Sequence, residues 1–222
     1  MLRPLSFLAL FLSGCALQPS ELSLDDGDQV LVKCCRIPAD EPLIAQWAVH
    51  TWIDLRLDGE WKRVEVVSEF SGVAIDELLE PVAFQDERWD RRVDVIASFA
   101  EDDDASRIAS EILELAPNYP YEDDYDAWPG PNSNTFVEWL SRGVDGFAIE
   151  LYPNAEGKDY RGLIGAGVTT TRLGLELETT WLGAQVGLQE GVELHLLGFT
   201  LGVGLWPPSL KLPLLPALPW DL

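Results

Sequence analysis

Residues 47–67 limit what this 222-residue chain can fold into more tightly than any other stretch. From Trp47 to Leu57 the sequence alternates, with Val49, Thr51, Ile53, Leu55 and Leu57 on one face and His50, Trp52, Asp54 and Arg56 on the other. That is the period of a half-buried strand. Asp58-Gly59 follows, a strong two-residue hairpin signal. Such a turn sets Arg56 opposite Trp61, Asp54 opposite Arg63 and Trp52 opposite Glu65, and leaves His50 and Glu65 diagonal on one face. A slip of one residue would carry Glu65 to the other face, so this pairing depends on the turn.

Around that hairpin the pattern is α+β. Residues 30–37 read as a first strand and Val93–Phe99 as another, while 68–92 give no clear period. Residues 104–116 read as a helix with Ile108, Ile112 and Leu115 on one stripe, stopped by Pro117. A second, short helix follows Trp128-Pro-Gly-Pro-Asn-Ser-Asn-Thr-Phe136, with Phe136, Trp139 and Leu140 inward and Gly143 at its end. Beyond Gly162 glycine and alternating apolar residues dominate, and Gly174-Leu-Glu-Leu-Glu and Gly191-Val-Glu-Leu-His echo each other, suggesting antiparallel hairpins with His195 on one hairpin face. The tail from Trp206 carries five prolines and fits an extended arm against the body or near a bilayer, not a regular helix or central strand.

The amino terminus points to the cell envelope. Arg3 precedes the apolar run Leu5–Leu12, and Leu12-Ser13-Gly14-Cys15 matches a lipobox. The run is too short for a permanent membrane helix, which needs about 20 residues. Cys15 is therefore expected to be the acylated first residue of the mature protein, held by three acyl chains that make attachment effectively permanent. Ala16 at the next position resembles lipoproteins forwarded to the periplasmic face of the outer membrane. The expected organisation is a signal peptide at 1–14, a polar tether at 15–28, an α+β domain at 29–165, and at 166–222 a Gly-rich β region with a Pro-rich tail packed on it.

Charge and cysteines narrow the partners. The formal charge is −23, and loss of Arg3 with the signal makes it −24. Such a surface is a poor match for nucleic acid or anionic headgroups. The acidic runs at 25–26, 101–104 and 122–126 lack calcium-loop spacing, and solvated loops are their ordinary home. Once Cys15 is acylated, Cys34 and Cys35 remain, adjacent and on opposite faces of a strand. One thiol is expected in the core and the other exposed, with a strained vicinal disulfide as the alternative in an oxidising periplasm. With two histidines and no Cys-x-x-Cys, neither a metal site nor a cofactor is expected.

Several segments together resemble an uncharacterised bacterial family whose name records only that its function is unknown. They are Ala48-Val-His-Thr-Trp-Ile53, Val64-Glu-Val-Val67, Tyr119-Pro-Tyr121, Trp128–Phe136, Gly157-Lys-Asp-Tyr160 and Lys211-Leu-Pro213. More distantly, His50 on a strand followed by Asn132-Ser133-Asn134-Thr135-Phe136 at a helix start resembles circularly permuted papain-like proteins of the lecithin retinol acyltransferase type. Those carry a strand His first and an Asn-Cys-x-x-Phe later. The resemblance implies a permuted papain-like antiparallel sheet with packed helices and a groove, here with Ser133 in the cysteine's place.

Two functions follow. In one, Ser133 attacks an amide or ester carbonyl of cell wall or lipid, His50 moves the proton and Glu65 orients the imidazole. A hydroxyl gains less from a helix N-terminus than a thiolate does, so His50 must then act as a true base. In the other, the groove binds cell-wall peptide or lipid without turnover. Trp52, Tyr121, Trp128, Asn132 and Asn134 line it. Asn132, Ser133 or Asn134 then serves as an N-cap, Thr135–Glu138 fits a capping box, His50 is a structural histidine, and Lys158-Asp159 is a further polar pair.

Overall fold

The computed structural model describes residues 27–38, 45–68, 72–78, 85–86, 91–100, 102–213, 215 and 218–219. The expected lipidation site, Cys15, lies outside the described residues, as do the leader and most of the tether. Among the described residues the architecture is mixed α+β and mostly strands, with two antiparallel sheets and two α-helices.

The first sheet comprises β1 (Gln29–Arg36), β2 (Val49–Leu57), β3 (Glu60–Val66), β4 (Val73–Leu78), β5 (Gln85–Asp86) and β6 (Arg91–Phe99), in the order β4-β3-β2-β1-β6-β5. Asp58 and Gly59 both take positive φ, 53° and 85°, as a two-residue hairpin turn requires. The turn fixes the register: Asp54 faces Arg63 and Arg56 faces Trp61. Helices α1 (Asp102–Leu115) and α2 (Ser133–Gly143) contact this sheet, and Ile108, Ile112, Phe136 and Leu140 join Val32, Ile53, Leu55 and Val64 in one core.

The polar row of β2 is not solvated. His50, Trp52 and Asp54 are as buried as Val49, Ile53 and Leu55 on the helix side. A buried triad makes this possible: Asp54 Oδ2 accepts from Lys33 Nζ at 2.6 Å, and Asp54 Oδ1 from Arg63 Nε at 2.9 Å. The Arg63 guanidinium lies 5.1 Å from the centroid of the Trp52 ring. Cys34 and Cys35 do point to opposite sides, but both are buried and both are free thiols, so neither the exposed thiol nor the vicinal disulfide is present. Burial, with Asp94 and Cys35 adding to it, pushes the Cys34 thiol well up.

The second sheet is a meander whose strands lie in chain order. They are β7 (Ile164–Val168), β8 (Gly174–Thr179), β9 (Leu182–Gly187), β10 (Gly191–Leu196), β11 (Phe199–Leu205), β12 (Pro208–Lys211) and β13 (Leu218–Pro219). In β8, β9, β10 and β12 its alternation is regular and inverted. Glu176, Glu178, Glu193, His195, Thr200 and Lys211 are buried, whereas Leu175, Leu177, Leu182, Leu194 and Leu201 face out. Among the described residues no helix is long and apolar enough to cross a membrane.

An ionic layer takes the place of an apolar core beneath this sheet. His195 Nδ1 meets Glu178 Oε1 at 2.7 Å, and His195 Nε2 meets Glu193 Oε2 at 3.1 Å and Asp159 Oδ2 at 3.5 Å. Lys158 joins Asp159 at 2.8 Å to Glu193 at 3.4 Å, so the expected Lys158-Asp159 pair is the link from the first domain to the sheet. Lys211 bridges Glu193 to Glu150, and Arg142 and Arg161 converge on Glu138 and Glu176. Gly183 leaves the space that the Glu178 carboxylate fills; a Cβ there would overlap it. Burial would raise the Glu193 pKa, but Lys158, His195 and Lys211 outweigh it and hold the carboxyl well below its usual range. In Glu178 burial prevails over the bond to His195, and the pKa is raised.

For His195, burial works against the charged ring, yet Asp159, Glu178 and Glu193 outweigh it and raise the pKa to about 9. The unfolded value is about 6.5, so the charged ring stabilises the fold fully below that pH, and the contribution is lost as pH rises through the folded value. Chemical denaturation of wild type and His195→Gln at about pH 6 and about pH 10 is expected to show their stability gap shrinking by about 3 kcal/mol at the higher pH. A gap independent of pH would contradict this electrostatic role.

Candidate functional site

The site is built on the first turn of α2, which follows the turn Trp128-Pro-Gly-Pro131. Asn132 is the N-cap, in extended conformation with φ −149°. Its Oδ1 accepts from the backbone N–H of Asn134 at 2.9 Å and of Thr135 at 3.2 Å, while its own N–H donates to Thr135 Oγ1 at 3.1 Å. This reciprocal arrangement satisfies the orphan amides of the helix start. The capping box is thus Asn132 with Thr135, and not Thr135 with Glu138. Glu138 instead takes Arg142 and Arg161, each at 3.1 Å.

The two asparagine amides lock the helix start to its surroundings. Asn132 Nδ2 and Asn134 Nδ2 both donate to the backbone carbonyl of Glu156, at 3.0 and 2.8 Å. Asn134 Nδ2 also reaches the Val49 carbonyl of β2 at 2.9 Å, and its Oδ1 accepts from Thr51 Oγ1 at 2.9 Å. Thr135 Oγ1 donates to the Gly157 carbonyl at 2.7 Å. Gly157 has a φ of 88°, and a Cβ on it would collide with the Asn132 amide. The Asn-Ser-Asn-Thr run therefore joins helix, strand and the 156–157 loop in one hydrogen-bonded knot.

Ser133 is the first helical residue and not the cap. It is buried, and among the described residues its hydroxyl takes part in no hydrogen bond. It lines a cavity of about 440 Å³ together with His50, Trp128, Asn132, Asn134 and Glu156. Val49, Val67, Ala48, Ile37 and Phe199 supply apolar wall. Trp128 forms the lip, 43% exposed, with Nε1 donating to the Leu197 carbonyl at 2.7 Å and its ring against Trp181 and Phe199.

His50 meets Glu65 as the hairpin register requires, Nε2 to Oε2 at 3.2 Å, and stacks on Trp52 with centroids 5.6 Å apart. The alternation of β2, however, points His50 away from the face whose Thr51 contacts α2. Ser133 and His50 both line the cavity, Ser133 from the first turn of α2 and His50 from β2, where its Nε2 is engaged by Glu65. Glu65 and Trp52 sit behind His50 and do not line the cavity. Tyr121 lies outside it too, packed edge-on against Tyr119 and Tyr160.

One cavity residue gives no signal in the sequence. Glu156 is 6% exposed, and neither carboxyl oxygen has a hydrogen-bond partner among the described residues. Burial, reinforced by Asp159 and only partly offset by Lys158, raises its pKa to about 8. At neutral pH it is therefore mostly a carboxylic acid, which can donate a hydrogen bond as well as accept one. Phe199, from the second sheet, is another cavity residue that sequence spacing does not associate with the site, as are Ile37, Val67 and Tyr125. Among the described residues no group of three or more His, Cys, Asp or Glu is placed to hold a metal ion.

Comparison with known proteins adds a family to this geometry. No curated protein matches the chain, and no solved structure does. A family model described as Protein of unknown function (DUF3750) matches residues 34–160. That span runs from the end of β1 through both helices to the 156–160 loop, and so takes in every residue of the cavity's polar knot. The chain belongs to the DUF3750 family.

Proposed function

We propose that the protein is an envelope lipoprotein, anchored through Cys15 on the periplasmic face of the outer membrane, whose cavity binds a carbonyl-bearing ligand with an apolar portion and does not turn it over. Lipid or cell-wall amides and esters have that chemistry. The observation that carries the reading is Glu156, a buried carboxyl with no hydrogen-bond partner among the described residues, in a partly apolar cavity beside a helix N-terminus. Leaving a buried polar group unsatisfied costs about 1–3 kcal/mol, so a ligand that pairs with it recovers that cost on binding. As an acid, Glu156 can donate to a ligand carbonyl, and the walls from Val49, Val67 and Phe199 cover the apolar remainder.

The permuted papain-like resemblance supports the groove in this reading. The order of a strand His, then Asn-Ser-x-x-Phe opening a helix, is present as His50 and Asn132–Phe136. His50 projects from the β2 face opposite Thr51, which contacts α2, and its Nε2 is engaged by Glu65; this favours binding over catalysis, because a general base must come within hydrogen-bond reach of its proton. A second reading, a serine-dependent hydrolase or acyltransferase, draws on a different observation. The Ser133 hydroxyl is uncommitted at a helix start, and His50, which pairs with Glu65 behind it, borders the same cavity.

Binding of a fluorescent long-chain fatty amide tests the first reading. Wild type is expected to bind at neutral pH and to lose affinity as pH rises through about 8, because the ionised Glu156 no longer donates. Glu156→Gln keeps a donor and is expected to bind with no such pH dependence, and Glu156→Ala to bind roughly tenfold more weakly. Equal affinity in all three would remove Glu156 from the site. A serine-directed phosphonate separates binding from turnover: the folded protein is expected to remain unlabelled, and labelling that Ser133→Ala abolishes would establish the second reading instead.

A further inference from the structure

We propose that the outward face of the β8–β12 sheet is a membrane-insertion surface that lies in the acyl layer of one bilayer leaflet. The strands bring their apolar side chains into continuous rows. Register sets Leu175, Val186, Val192, Val203 and Leu210 side by side across five strands. A second row runs Leu177, Ala184, Leu194, Leu201 across four. Leu175, Leu182, Leu194 and Leu196 each keep more than half their surface exposed. On a chain with a formal charge of −23, every strand position on this face of β8–β12 is free of charge.

Exposed apolar patches of this extent on a monomer mark an interaction surface. Three features favour lipid over protein as the occupant. A protein–protein interface carries a polar rim, whereas here the Glu and Lys residues of the same strands all turn inward, into the ionic layer. The inversion, apolar outward and polar inward, is the pattern of strands that face hydrocarbon. Tryptophans stand at both ends of the strands, Trp181 at the β8–β9 turn and Trp206 at the β11–β12 turn, 51% and 77% exposed. Indoles in such places settle at the boundary between headgroups and acyl chains.

Strand length sets the depth. At about 3.3 Å per residue, strands of four to seven residues run roughly 13–23 Å, against about 30 Å for the hydrocarbon core. The sheet is also open, and unpaired edges cannot enter hydrocarbon. It therefore lies on the leaflet by its face and does not cross it. The acyl anchor of the function proposed above supports this reading through proximity alone: residues from Cys15 to Gln29 cannot reach farther than about 50 Å. The β8–β9 and β10–β11 turns, at one end of this face, meet the cavity lip through Trp181 and Leu197 against Trp128. Bilayer lipid thus has a short apolar path to the cavity.

Spin labelling of the acylated full-length protein in phosphatidylcholine vesicles tests the surface. A nitroxide on Leu194→Cys is compared with one on Ser110→Cys, exposed on α1; the native Cys34 and Cys35 are buried and do not compete for label. Relative accessibility to oxygen over a water-soluble nickel complex is expected to be several-fold higher at position 194 than at 110, and adding Leu177→Glu to the labelled chain to lower it. Equal nickel accessibility at both positions would place the face in water and overturn the proposal. Protection of position 194 from both reagents would overturn it in favour of a second copy of the chain packed on the face. Mass spectrometry of the same sample reads acylation separately, so failure of the anchor and failure of the surface are distinguishable.

Discussion

Two asparagine amides held on a single backbone carbonyl, that of Glu156, fix the geometry on which the rest of the molecule depends. Asn132 and Asn134 come from the first turn of α2, and Asn134 reaches on to the Val49 carbonyl and the Thr51 hydroxyl of β2. Helix, central strand and loop are thereby set in one arrangement before any apolar packing is considered. The side chains are fully engaged in structure, so they are poor candidates for chemistry. What they leave over is specific: the Ser133 hydroxyl and the Glu156 carboxyl, both at the cavity wall. The helix start that looks in sequence like a nucleophile turn works first as a joint.

A second constraint is the ionic layer under the meander. Burying Glu193, His195, Lys158 and Lys211 removes charge from water, and each of these ions offsets that cost through two or more partners, while Glu178 has His195. Specific pairing of this kind fixes how the sheet docks, because Lys158, Asp159 and Glu150 each meet a named partner on it. It also settles which face looks outward. With the polar residues required inside, the leucines have nowhere to go but the surface. The apolar outer face and the polar joint are one design, and the Trp128–Leu197 contact ties both to the cavity lip.

Much of the first sheet is legible in the sequence because its signals are local. Asp58-Gly59 dictates a two-residue turn, and the turn alone places Asp54 opposite Arg63 and brings Glu65 to His50. The stripe of Ile108 and Ile112 and the Gly143 stop define the helices for the same reason. Three features are hidden because they depend on contacts distant in sequence. Alternation in β2 and in β8–β11 says which residues share a face, but not whether the polar face is wet. Ion pairing with Lys33, and with Lys158 and Lys211, decides that. Asn132 outcompetes Ser133 as N-cap because its amide has a second use on the Glu156 carbonyl. Glu156 itself sits in an aperiodic loop, and neither its burial nor its open valence has a signature in composition or spacing.

A cavity that holds a ligand without processing it through Ser133 has a direct signature. Mass spectrometry of the protein extracted from envelopes in mild detergent tests this most directly, first under native and then under denaturing conditions. The native protein is expected to carry an extra mass that is lost completely on denaturation. An added acyl mass that survives denaturation and maps to the peptide bearing Ser133 would contradict it.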